Sequence, residues 1–303
     1  MTIRLTFLLL LVAGTIPAPF AGSPALAQGP ALAPEKVAPE TISTAGGEAF
    51  PALDPLDGSL WFSTHDDDWA RHALVRAAAD GASWVAPETL SFSGVYNDRA
   101  PRLSPDGKRL VFSSSRPLPG ESVEDDWNLW VAERDPDGSW SDPVPLPAPI
   151  STDASEYHAS MARDGLLWFA SNRPGGAGRS DLHVARPEGS AWSVAPLGGA
   201  LATELSEPDV YLDPDGRFAI VVITDREDGL GGDDLYVTVP GNGAWSRPES
   251  LGAPVNSAEY EYGPFVTPDG EWLWFTSHRD GSGDLYRIPT SSIPALRDLA
   301  RRP

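Results

Sequence analysis

Five Asp-Gly pairs at intervals of about fifty residues, an apolar run after each pair, and two further strand signals before the next pair predict an all-β chain, a five-bladed β-propeller of four-stranded blades. The pairs are Asp57-Gly58, Asp106-Gly107, Asp164-Gly165, Asp215-Gly216 and Asp269-Gly270. Composition agrees, because 29 Gly, 31 Pro and 11 Trp suit many short strands joined by turns. Solenoid strands would be shorter and more evenly spaced.

The chain opens on a leader. Arg4 gives a short basic start, Leu5 to Ala13 an apolar run, and Ala25-Leu26-Ala27 the small residues that precede a signal-peptidase cut, so residues 1–27 are expected to be removed. That run is shorter than the roughly 20 residues a membrane-spanning helix needs, and no later stretch approaches that length. An exported protein without a membrane span is expected, in the periplasm or secreted. The chain has no Cys, which removes disulfides, thiol nucleophiles and Cys-ligated metals. The formal net charge of −21 repels phosphate backbones, so nucleic acid is not an expected partner. Roughly 275 residues remain after the cut, enough to bury a sizeable core.

Each Asp-Gly pair supplies the positive φ of a tight hairpin, and the run behind it reads as a strand buried on both faces: LWF at 60–62, LVF at 110–112, LLWF at 166–169, FAIVV at 218–222 and WLWF at 272–275. A third strand follows from Ala73, Asn128, Asp181, Asp234 and Asp284, and a fourth opens with Trp84, Trp140, Trp192 or Trp245. The blades are expected at about 48–91, 98–148, 156–199, 207–253 and 261–290, with a tail at 291–303. The last unit ends before a fourth strand. Val-Ala-Pro-Glu-Thr-Ile-Ser at 37–43 nearly repeats Val-Ala-Pro-Glu-Thr-Leu-Ser at 85–91, so the N-terminal segment 37–43 is expected to complete blade 5 and close the ring.

The stretches DRAPRLSPDGKRLVFSSSR (98–116), SNRPGGAGRSDLH (171–183) and GPFVTPDGEWLWFTSHR (263–279) resemble the WD-like propeller repeat of TolB-type proteins of the bacterial envelope. The resemblance runs over nearly the whole mature chain. It implies a propeller serving as a binding scaffold, with an envelope protein or a small ligand as partner and a monomeric state. TolB itself has six blades and an additional domain, neither of which this sequence shows, and its particular partners do not carry over.

Three sets of residues carry candidate chemistry. An Arg after the second strand and an Asp at the head of the third suggest buried ion pairs: Arg173 with Asp181, Arg226 with Asp234, Arg279 with Asp284. Arg116 holds the same place in blade 2, while blade 1 lacks both partners. Acids open every inner strand, as Glu48, Asp98, Glu156, Glu207 and Glu261. Lining a channel, they could hold a divalent cation or perform the acid and base steps of a carbohydrate-active hydrolase or lyase. Presence in all five blades reads instead as construction, because catalysis needs differently tuned groups. The third set lies in loops on one rim: Asp66, Asp67, Asp68, Glu124, Asp125, Asp126, Trp127, Tyr157, His158, Tyr260 and Tyr262, the expected ligand-binding residues. The loops do not match an EF-hand. The five His are scattered, with His65 and His278 at one repeat position. No G-x-S-x-G, P-loop or H-E-x-x-H motif occurs, and no catalytic residue, resident cofactor or metal is assigned. The sequence therefore points first to a non-catalytic binding scaffold and second to a channel-acid hydrolase or lyase.

Overall fold

The computed structural model describes residues 32–66, 68–81, 83–120 and 126–301. An Asp-Gly turn can reverse the chain tightly because Gly tolerates positive φ, here +70° at Gly58 and +69° at Gly107. Each turn joins an inner strand to a second strand whose side chains are buried on both faces. In blade 1 these are Gly47–Leu53 and Leu60–His65, followed by His72–Ala77 and the short outer strand Glu88–Thr89. Blade 2 is Asp98–Leu103, Arg109–Ser114, Asn128–Glu133 and Val144–Pro145. Blade 3 is Glu156–Met161, Leu167–Ser171, Asp181–Glu188 and Ala191–Pro196. Blade 4 is Ser206–Leu212, Ala219–Thr224, Asp233–Thr238 and Glu249–Ser250. Blade 5 takes Glu261–Val266, Trp272–Ser277 and Asp284–Pro289 from the C-terminal side and Glu35–Lys36 from the N-terminal side. The result is a five-bladed β-propeller closed by an N-terminal strand.

The closing strand lies a few residues earlier than 37–43. Glu35 and Lys36 pair with Arg287 and Tyr286, and Val37 N–H donates to Leu285 O at 2.8 Å. Leu90, Leu146, Leu197 and Leu251 make the same bond to Leu74, Leu129, Leu182 and Leu235, so Val37 is the counterpart of Leu90 and not of Val85. Pro39 to Ile42 then turn sharply, with Ile42 N–H on Ala38 O, and Val37 and Ile42 bury fully against Leu285 and Trp274.

The core consists of the seams between blades. Phe62, Phe112, Phe169 and Phe275 of the second strands are fully buried there. The Trp residues precede the outer strands instead of lying within them in blades 1, 2 and 4; Trp84 belongs to a separate hairpin with Ala79–Asp80, and Trp140 and Trp245 form single bridges to Arg134 and Pro240. The C-terminal tail is docked, with Ile293, Leu296 and Ala300 buried in the seam of blades 4 and 5. Among the described residues no helix is long and apolar enough to cross a membrane.

The middle of the ring is bridged by one side chain. Arg102 of blade 2 points across it and donates to Pro51 O at 2.7 Å and Pro264 O at 2.8 Å. A cavity of about 60 Å³ lies beside it, lined by Tyr211 and Phe265 among others.

Candidate functional site

The acids that open the inner strands face the connections between blades, and in blades 1, 2, 3 and 5 their oxygens are taken. Glu156 receives the Thr152 N–H at Oε2 (3.0 Å) and the Thr152 hydroxyl at Oε1 (2.7 Å). Thr44 holds Glu48 in the same way (3.0 and 2.6 Å), and Ser257 holds Glu261 (2.7 and 2.7 Å). Burial favours the neutral acid and pushes the Glu156 and Glu48 pKa values up, while these bonds pull them back. The acids are therefore locks between strand and connection.

The arginines belong to these locks, which corrects the expected pairing. Arg173 Nη2 lies 2.9 Å from Glu156 and also donates to Ile150 O; Arg279 Nη2 lies 3.4 Å from Glu261; Arg116 Nη1 lies 2.7 Å from Asp98. Arg226 turns to the exposed Asp228 at 2.9 Å. Asp181 and Asp234 instead collect N–H groups of the Gly-rich loops, from Ala177 (2.9 Å) and Leu230 (2.7 Å), and Asp284 takes Lys36 Nζ at 2.8 Å. The loop amides occupy the carboxylate, and the Arg173 and Arg279 guanidinium groups go to the connection carbonyls and the first-strand acid.

Blade 4 breaks the lock. Thr203 hydroxyl still reaches Glu207 Oε1, but Oε2 is buried without a partner among the described residues, and desolvation pushes Glu207 up to about 7.

Immediately after each acid the blades diverge: Ala49-Phe50, Arg99-Ala100, Tyr157-His158, Pro208-Asp209 and Tyr262-Gly263. These residues sit at the mouth of the channel, where the inner strands bulge. Phe50, Ala100 and His158 carry φ of +60°, +55° and +47°, a strained region for residues with a Cβ. Their N–H groups are held by hydroxyls of the preceding blade: Thr276 for Phe50 (2.9 Å), Ser63 for Ala100 (2.9 Å) and Ser113 for His158 (3.1 Å). Blade 4 has Val222 and Ile223 there, and Asp209 Oδ2 takes the Gly263 N–H instead, at 2.7 Å.

The mouth gathers rings around one cation. The Arg99 guanidinium lies 4.0 Å from the Trp127 ring and 5.3 Å from Tyr157. It has no carboxylate within ion-pair distance among the described residues, and its Nε is buried without a hydrogen-bond partner. Desolvation lowers its pKa to about 10. His158 Nδ1 approaches Pro208 O at 2.7 Å, which assigns the proton to Nδ1 and leaves Nε2 as a buried lone pair without a partner. Desolvation, then the charge of Arg99, holds the His158 pKa well below the usual imidazole range. His72 is held at about 4 by the same two causes in the same order. Both rings are neutral near pH 7.

Trp69 reaches over from blade 1. Asp66 Oδ1 accepts the N–H groups of Ala70 (2.7 Å) and Arg71 (3.2 Å), and Trp69 itself takes φ +56°. Its ring stacks on His65 at 3.7 Å and lies 6.2 Å from His278 and 6.1 Å from Tyr262. Tyr262 OH meets His278 Nε2 at 3.0 Å. Gly283 makes room for this group: a methyl there would lie 3.3 Å from His65 Nε2, 3.2 Å from His278 Nε2 and 3.4 Å from Tyr262 OH.

Of the expected ligand-binding residues, the structure brings Trp127, Tyr157, His158 and Tyr262 to the mouth. Tyr260 stands exposed on its rim, edge-on to His278 at 6.0 Å. Asp66 shapes the Trp69 loop, Asp68 is exposed, and Asp126 accepts from Asn128 Nδ2 at 3.1 Å. Asp67, Glu124 and Asp125 lie outside the described residues. Sequence reasoning placed Trp69 in the rim loop after Asp68 but passed over Arg99, Phe50 and the convergence of His65, His72 and His278. The available signal was the position after each acid, where the repeat stops repeating. Among the described residues no group of three or more His, Asp or Glu side chains stands close enough together to hold a metal ion.

No family model matches the chain, and no curated protein matches it. Among solved structures it is similar to a protein assigned as TolB from Agrobacterium tumefaciens (16% identity, 77% of this chain and 71% of that chain, TM-score 0.49). It is also similar to a GH43 endo-arabinanase from Bacillus licheniformis (12% identity, 82% of this chain and 95% of that one, TM-score 0.52). A third is an α-L-arabinofuranosidase from Lactobacillus brevis (15% identity, 82% and 92%, TM-score 0.50). At such identities the likeness to the endo-arabinanase and the arabinofuranosidase is one of fold.

Proposed function

We propose that this chain is a non-catalytic, exported propeller of the bacterial cell envelope that binds a small anionic ligand at its channel mouth. The observation that carries the reading is Arg99: a desolvated guanidinium with no carboxylate partner among the described residues, flanked by Trp127 and Tyr157 and by histidines that are neutral near pH 7. In a chain of net charge −21 a desolvated cation at a ring-lined centre, reached by the charge of Asp209 but held in no ion pair among the described residues, favours an anion, and the rings add contact area at low entropic cost. The export step rests on the leader and the envelope location on the TolB-type resemblance. Native mass spectrometry of protein isolated from envelope fractions tests the reading. An anionic species retained by the wild type and lost from Arg99→Met supports it, and equal retention by both contradicts it.

The hydrolase or lyase reading keeps one observation. Asp209 lies at the mouth, and desolvation pushes it up to about 6, a value suited to acid or base work. Its oxygens accept from Gly263 and Val210 N–H groups, each at 2.7 Å, which is the construction role described above. Turnover of a glycan panel that Asp209→Asn abolishes would establish the enzyme, and absence of turnover by the wild type leaves the binding reading standing.

A further inference from the structure

On the face that carries the Asp-Gly turns, three of the five seams between blades share an aromatic joint. A Trp from one second strand meets, edge-on, the Trp that precedes the next outer strand: Trp61 with Trp140 at 5.4 Å, Trp168 with Trp245 at 4.7 Å, and Trp274 with Trp84 at 5.4 Å. The seam of blades 4 and 5 lacks both rings. There Ile220 stands opposite Tyr211 as Trp274 stands opposite Phe265, and the C-terminal residues Ile293 and Leu296 share its core cluster. Only the seam of blades 2 and 3 has half a joint. Trp192 is present, but the second strand of blade 2 offers Val111.

The missing indole leaves space. The cleft at this seam has a volume of about 650 Å³, against about 370 Å³ beside Trp61 and Trp140 and about 360 Å³ beside Trp168 and Trp245. That volume is in the range of small-molecule sites. Its apolar wall is Val111, Val131, Leu146, Met161, Leu167 and the half-buried Trp192. Its rim carries Lys108, Arg109 and Arg163 against Asp106 and Glu133. Arg109 is held by Glu133 at 3.0 Å and Arg163 by Asp215 at 2.9 Å, while Asp106 turns to Ser104 Oγ at 2.6 Å. The exposed Lys108 ammonium forms no ion pair among the described residues, and, after the Ser104 hydroxyl, its charge helps hold the Asp106 carboxyl below its usual range.

We propose that the cleft between blades 2 and 3 binds a small planar aromatic acid, its ring in the place of the absent indole against Trp192 and its anion toward Lys108. The ring replaces an aromatic contact that the other Trp joints make within the chain, and the anion takes the direct contact with the exposed Lys108 ammonium that Asp106, turned to Ser104, does not make. The site is separate from the channel mouth, so failure of one reading leaves the other intact.

The test is calorimetric titration of the full chain with three indoles of different charge: indole-3-propionate, 3-methylindole and tryptamine. Saturable binding is expected in that order of affinity, with indole-3-propionate tightest. Val111→Trp restores the joint found at three other seams and is expected to weaken indole-3-propionate more than about tenfold while the melting temperature holds or rises. Lys108→Glu, on the exposed rim, keeps the test readable should that variant fold poorly. It is expected to weaken indole-3-propionate about fivefold and to leave 3-methylindole unchanged. Absence of saturable binding by all three probes, tryptamine binding as tightly as indole-3-propionate, or a folded Val111→Trp that binds like the wild type would each overturn the proposal.

Discussion

Glu156 and Tyr157 are neighbours on the inner strand of blade 3, yet Glu156 is enclosed by Thr152, Ser171 and Arg173 while Tyr157 faces the mouth beside Arg99. The contrast recurs around the ring. The acid position is filled by Glu or Asp in every blade and is spent on tying strands to connections. The next position runs Ala, Arg, Tyr, Pro, Tyr and supplies the mouth. Repetition marks what each blade needs to exist, and departure from repetition marks what only one blade needs to do.

Variants can break or sharpen that contrast. The largest effect is expected from deleting residues 28–44, which removes the closing strand, the buried Val37 and Ile42 and the Thr44 half of the Glu48 lock. Two buried aliphatic side chains alone are worth about 3 to 6 kcal/mol, so the thermal transition should fall steeply; an unchanged melt would show that the ring does not depend on this strand. Glu156→Gln comes next. It leaves Arg173 half-buried without its partner and is expected to cost about 3 kcal/mol, read as a lower urea midpoint at constant m-value. Binding per folded molecule should be unaffected, and a variant as stable as the wild type would remove the acids from the construction role.

Glu207 gives a smaller effect of opposite sign. Desolvation raises its folded pKa to about 7, above the unfolded value, so its contribution is intact below about pH 4.5 and is lost as pH rises through about 7. Glu207→Gln is therefore expected to melt about 3 °C higher than the wild type at pH 8 and at the same temperature near pH 4.5. A uniform offset across that range would mean that Glu207 does not titrate as described.

The blade count and the ring closure were legible because a repeat multiplies weak local signals: five Asp-Gly turns, five apolar runs and one orphaned outer strand. The near identity of residues 37–43 and 85–91 identified the right segment but the wrong pairing. Its register is set by Thr44, which must reach Glu48, and by Val37, which takes the Leu285 carbonyl. Arg173 and Asp181 looked like partners because both flank one hairpin. Strand pairing does place Asp181 opposite Ser171, but the Gly-rich loop supplies its own donors to Asp181 before the guanidinium can. Among site residues, Trp127, Tyr157, His158 and Tyr262 could be chosen by rim position and ring chemistry. Arg99 could not, since a lone Arg beside a repeated acid reads as part of the lock. Only the three-dimensional ring shows it between Trp127 and Tyr157, with no carboxylate at ion-pair distance among the described residues and Asp209 acting on it only from further off.

The division between lock and mouth comes down to Arg99. Calorimetric titration of the wild type and Arg99→Met with citrate, glucuronate and benzoate, alongside their thermal melts, separates the two roles. Loss of a buried unpaired cation should leave the melting temperature within about 2 °C of the wild type or raise it, and should weaken the best-bound carboxylate more than about tenfold. A variant that melts far lower and still binds that carboxylate as the wild type does would place Arg99 among the structural residues and contradict the assignment of the mouth as the binding site.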